Sequence, residues 1–123
     1  MPDIATVILY VREPLASARF YAGLLGREPV EASANFAMLP MAPGVMLGLW
    51  ARHDVAPAAN VPAGSGELAF VVADRDAVLA THRSWQARGI PIIQEPVMMD
   101  FGFTCTGTDP DGTRLRVMAL SGP

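Results

Sequence analysis

Near the end of the chain, in DPDGTRLRVMAL (residues 109–120), two arginines stand two residues apart. The segment reads as a tight turn feeding a strand. Strand side chains alternate between faces, so Arg114, Arg116 and Met118 point one way while Leu115 and Val117 point the other. A guanidinium is a permanent cation with five N–H donors and no acceptor. It can hold a carboxylate or an oxyanion, but it cannot ligate a metal or take up a proton. Other reactive groups are sparse. Cys105, in FTCTGT, has no base implied beside it and is expected to be a small buried residue. GSG at 64–66 matches neither glycine fingerprint of phosphate binding and reads as linker. No nucleophile–base–acid arrangement emerges from the spacing. The softer candidates are aromatic and sulfur side chains: Met46, Gly48 and Trp50 at alternating positions, and VMMDFGF, which gathers Met98, Met99, Phe101 and Phe103 around Gly102.

The elements that must position these residues fall into two similar halves. ATVILYV is an alternating strand, and REPLASARFYAGLLG is a helix that Glu13 and Pro14 start and Gly26 stops. Leu15, Ala18, Ala22 and Leu25 lie near helical spacing, with Tyr21 and Leu24 widening the apolar face. Strands near PVEA, NFAML and VMLGLW complete the first half, residues 1–55. A Pro/Ala/Gly linker, residues 56–66, follows. The order then repeats over residues 67–121: strand ELAFVVA, a helix from the N-cap Asp74 to the stop Gly89, strands IPIIQEP and FTCTGT, the DPDG turn, and TRLRVMAL. The expected fold is α+β, with two tandem β-α-β-β-β modules in a single domain.

The bulk numbers are consistent with that. A chain of 123 residues that is 51% hydrophobic buries a core without cross-links, and one cysteine excludes an internal disulfide. No apolar run is long enough to span a bilayer and no charged-then-apolar leader opens the chain, so a soluble, cytoplasmic protein without membrane partners is expected. The net charge is −3 and the nine basic residues, all arginine, are scattered, which argues against nucleic-acid binding.

Alternation then sorts the strands by face. Val7, Leu9 and Val11, Leu47 and Leu49, Leu68, Phe70 and Val72, and Leu115 and Val117 form the apolar face expected beneath the helices. The opposite face is mixed: Thr6, Ile8 and Tyr10; Met46, Gly48 and Trp50; Glu67, Ala69 and Val71; Arg114, Arg116 and Met118. Aromatics, methionines, a glycine and a few charges are the composition of a binding surface rather than of a core.

VREPLASARFYAGLLG, GELAFVVAD and DPDGTRLRV, in that order and spacing, resemble the vicinal-oxygen-chelate superfamily of glyoxalase I, extradiol dioxygenases and bleomycin-resistance proteins. The resemblance covers essentially the whole chain. It implies paired modules forming a U-shaped cleft, commonly completed by dimerisation. In the metal-dependent members four cleft positions supply His and Glu ligands, and here they match Thr6, Gly48, Glu67 and Arg116. Only Glu67 is an ordinary ligand among them. His53 falls past its strand and His82 on a helix, so neither completes the set, and no metal or other cofactor is expected. Glu67 and Arg116 are expected to pair in the space a metal would take.

Within the superfamily the closer resemblance is to metal-free drug-binding members of the phenazine-resistance type. It is carried by LYV before the RFY helix, REPV, LGLWARHDVAP, QEPVMMDFGFT and DPDGTRLRV. It implies a homodimer that sequesters a small planar aromatic molecule. The expected ligand contacts are Tyr10, Phe36, Met46, Gly48, Trp50, Glu67, Met99, Phe101, Phe103 and Arg116, with the gap beside Gly48 open to a flat ring; no catalytic residue is expected. Trp85, near Val78 and His82 on the second helix, is expected in the core. The alternative is a superfamily lyase, isomerase or dioxygenase, with an atypical metal site or with Glu67 as base and Arg116 as oxyanion partner.

Overall fold

The computed structural model describes residues 5–121. The chain divides into two compact units, Met1–Gly64 and Ser65–Pro123, and both follow the same order of elements. The first contains β1 (Ala5–Val11), α1 (Pro14–Leu25), β2 (Glu31–Ala32), β3 (Phe36–Ala42) and β4 (Val45–Ala51). The second contains β5 (Glu67–Val71), α2 (Arg75–Ala87), β6 (Ile92–Met99), β7 (Gly102–Thr108) and β8 (Arg114–Leu120). The sheets run β1-β4-β3-β2 and β5-β8-β7-β6. In each, the first strand is parallel to the last and the other pairs are antiparallel. The helix supplies the crossover that a parallel pair requires.

In the first unit the core lies between α1 and its sheet. Val11, Ala37, Leu39, Leu47, Leu49 and Ala51 are fully buried, as strand alternation predicts. The helix buries Pro14, Ser17, Ala18 and Tyr21, while Leu15 is 43% exposed. Of the expected face, Ala18 and Tyr21 are buried, and Pro14 and Ser17 take the place expected for Leu15. Tyr21 is the largest fully buried side chain, and Ser17 and Ala18 are small enough to let the helix lie close to β3 and β4 beside it. A fully buried aliphatic or aromatic side chain contributes about 1.5–3 kcal/mol, so Tyr21 outweighs a Leu15 left in water.

Both helices stop where glycine takes a left-handed conformation, at Gly26 (φ 65°) and Gly89 (φ 75°). Their starts differ. Asp74 caps α2 by accepting a hydrogen bond from the Ala77 N–H at 2.9 Å, whereas Glu13 makes no side-chain cap and α1 relies on Pro14 in its first turn.

The second core gathers Leu68, Val78, Trp85, Ile90, Phe103, Cys105, Leu115, Val117 and Ala119. Trp85 lies where a Cβ on Gly107 would stand 3.3 Å from its ring and 3.0 Å from the Ile90 side chain, so the bare backbone admits both. Trp85 is a core residue, as expected. The DPDG turn is held by Asp109, whose carboxylate accepts from the N–H groups of Asp111 and Thr113 at 2.9 and 2.8 Å.

Candidate functional site

The sheet face away from α1 in the first unit is built by cross-strand register. Tyr10 pairs with Trp50, Ile8 with Gly48 and Thr6 with Met46, and from β3 Phe36 pairs with Trp50 and Met38 with Gly48. Tyr10, Phe36, Met46 and Trp50 thus share one face, each partly exposed. Phe36 and Trp50 meet edge to face, ring centres 6.3 Å apart at 88°. The gap expected beside Gly48 is filled. A Cβ there would meet the Phe36 ring at 3.2 Å and Ile8 at 3.3 Å, so the glycine is a seat for Phe36 rather than a slot for a ligand. The aromatic surface is the Phe36–Trp50 pair itself.

In the second unit Arg116 organises the corresponding face. Its Nε donates to Glu67 Oε2 at 2.8 Å and its Nη1 donates to Gln94 Oε1 at 3.0 Å. The expected pair therefore forms, with the Arg116 side chain 15% and the Glu67 side chain 37% exposed. Thr106 Oγ1 donates to the same Gln94 oxygen at 2.9 Å, and Gln94 Nε2 donates to Met99 Sδ at 3.3 Å. Two donors converging on Oε1 fix the amide's orientation. Phe101 lies with its ring 5.9 Å from the guanidinium carbon. Sequence reasoning missed Gln94 and Thr106. The signal was the register, which sets Gln94 opposite Thr106 and Thr106 opposite Arg116.

Phe103 does not join this face. It is the second residue of β7, pairs with Ala119 and shares its parity with Cys105, so it points toward α2, where the Arg75 guanidinium covers it at 4.2 Å. It is 9% exposed. Strand alternation, the rule that sorted the other residues, sets this expected ligand contact on the covered side of β7. Cys105 is buried on the same side, and desolvation, followed by the charge of Glu95, pushes its pKa up to about 11. A thiol held protonated is not a nucleophile. His82 Nε2 lies 2.8 Å from Glu95 Oε2 without a well-directed hydrogen bond. His53 is exposed on a short 3-10 turn (Arg52–Asp54) and lines a concavity of about 440 Å³ with Arg12, Glu13 and Arg19. None of the ten expected contacts lines that concavity.

The four positions matched to metal ligands do not fit a metal. Glu67 already accepts from Arg116, Gly48 offers only backbone beneath Phe36, and Thr6 is a neutral hydroxyl. Among the described residues no three His, Cys, Asp or Glu side chains converge.

Known proteins match this chain in sequence and in fold. A model of the Glyoxalase/Bleomycin resistance protein/Dioxygenase superfamily matches residues 3–117. The chain belongs to that superfamily. Within it, the chain is 27% identical over 116 residues to the phenazine antibiotic resistance protein EhpR of Enterobacter agglomerans, across 92% of this chain and 88% of that protein. Protein ATC0852 from Agrobacterium tumefaciens is 48% identical, with a TM-score of 0.86 over 99% of this chain and 98% of that one. The lactoylglutathione lyase from Agrobacterium tumefaciens superposes with a TM-score of 0.77 at 22% identity, covering 94% and 92% of the two chains. That last likeness is one of fold.

Proposed function

We propose that this protein binds a small planar aromatic molecule and protects by holding it, without metal, cofactor or chemical conversion. The observation that carries the reading is the engagement of Glu67 by Arg116. The one ordinary metal ligand among the four matched positions is hydrogen-bonded to a permanent cation, which places a fixed charge where a metal would need an open donor. The partly exposed Tyr10, Phe36, Met46 and Trp50 supply aromatic and polarizable surface on the first sheet, and the exposed Met99 and Phe101 supply it separately in the second unit. An aromatic contact adds about 0.5–1.5 kcal/mol beyond burial, so a few such contacts give a flat ligand useful affinity. The relative whose name specifies phenazine resistance supports this ligand class.

The competing reading is a superfamily enzyme with Glu67 as base and Arg116 as oxyanion partner. The hydrogen bond between them counts against it, because one of the two carboxylate oxygens of the base already accepts from the arginine that would have to meet the oxyanion.

Two tryptophans make the test direct. Trp50 is partly exposed on the first sheet, while Trp85 is 5% exposed in the second core. Titration with phenazine is expected to quench fluorescence saturably, and Trp50→Phe to remove most of that quenching while the Trp85 signal persists. Equal quenching in both proteins, or conversion of the added compound into a product that Glu67→Gln abolishes, would overturn the reading.

The proposal includes a homodimer. β6 is the edge of its sheet, and Ile93, Val97, Met98, Met99 and Phe101, on it or just after it, are exposed. A second copy of the chain is the occupant expected for that apolar edge.

A further inference from the structure

Two cations and one anion share the open face of β5 and β8. Arg114 and Arg116 lie two apart on β8, and Glu67 sits opposite Arg114 in register while bonding to Arg116. Arg116 spends its Nε on Glu67 and one hydrogen of Nη1 on Gln94; its Nη2 makes no hydrogen bond among the described residues. Arg114 is exposed, and its side chain has no partner among them. Glu67 cancels one guanidinium. The second leaves the face positive in a chain whose net charge is −3. Phe101 lies with its ring 5.9 Å from the Arg116 guanidinium carbon, and Met99 accepts from Gln94 Nε2, the amide that also holds Arg116.

We propose that the aromatic ligand is an acid, and that its carboxylate is read by Arg116 Nη2 with Arg114 as the second cation. This rests on the reading above and narrows it from planar aromatics to aromatic carboxylates. Gln94 and Thr106 play the positioning part. By fixing the amide oxygen on Nη1 they hold the guanidinium plane, so its remaining donors meet a carboxylate without first being ordered. The opposing effect is Glu67, which repels an incoming carboxylate about as strongly as one arginine at the same distance attracts it. The second arginine decides the sign. Removal of either charge should therefore shift the preference in opposite directions.

The experiment is isothermal calorimetry on the full chain with phenazine-1-carboxylate and its neutral isostere phenazine-1-carboxamide at about pH 7, where the carboxyl is ionised. The acid is expected to bind at least about tenfold more tightly than the amide, the size of one charge-assisted hydrogen bond. Arg116→Gln and Arg114→Gln each lower that ratio, and Glu67→Gln raises it. Arg83→Gln, which removes the same charge from the exposed side of α2, leaves the ratio as it was. If Arg116→Gln does not fold, Arg114→Gln still decides, because its side chain holds nothing in place. Acid and amide binding equally would overturn the inference and leave the aromatic-binding reading standing. An acid preference that survives Arg114→Gln would do the same. No binding of either compound would remove the broader reading itself.

Discussion

Cys105 shows how a single side chain answers to its surroundings. Burial, with Glu95 adding to it, raises the folded thiol's pKa to about 11 from the usual 9.0. Between those values the unfolded chain releases the proton first, so stability falls as pH rises through that window; below about pH 9 both states keep the proton and the contribution is constant. Urea unfolding across alkaline pH is expected to show this slope, and Cys105→Val to flatten it relative to the parent. Iodoacetamide should label the native protein slowly near neutrality and the denatured protein quickly. At this scale the sequence disclosed the Glu67–Arg116 pair, because alternation puts each on the mixed face of its strand and the family resemblance matches both to one site. It did not disclose the filling of the Gly48 gap. That depends on how far the Phe36 ring reaches across from β3, which is a matter of register and rotamer. Phe103 was legible in principle: FTCTGT puts it on a strand at the same parity as Cys105, and grouping it with Met98, Met99 and Phe101 set that parity aside.

The two helices have unequal footing within the repeated order of elements. α2 has a side-chain N-cap and α1 has none. Asp74→Ala is expected to cost about 1 kcal/mol, and Glu13→Ser to add about 0.5–1 kcal/mol, both read as shifts in the urea midpoint at constant slope. Opposite results would mean that packing, not capping, sets the helix ends. The helix limits were readable because Pro14, Gly26, Asp74 and Gly89 each act locally. The buried stripe of α1 was readable in part: Ala18 and Tyr21 fall on the expected face, whereas Pro14 and Ser17 are buried where the spacing favoured Leu15, because a spacing rule sees hydrophobicity and not side-chain volume or reach.

Across the whole molecule, the repeat of β-α-β-β-β was visible in the spacing of strands, helices and turns, while sheet order required the coordinates. The proposed homodimer belongs to this scale. A 13.1 kDa chain should sediment near twice that mass at micromolar concentration, and Met98→Glu on the β6 edge should shift it toward the monomer; sedimentation as a monomer throughout would rule the dimer out. Each sheet also joins its first strand to its last, Ala5 to Val45 and Glu67 to Arg114. A hairpin can form as soon as its turn is made, but β1 and β5 must wait for a strand on the far side of their own module. The search through loop conformations that this entails makes sheet closure the slow event in folding. Until it happens, each module is a hairpin and a helix with a loose strand whose unpaired backbone is free to pair with a neighbouring chain, so refolding yield should fall with protein concentration even where the native protein does not aggregate.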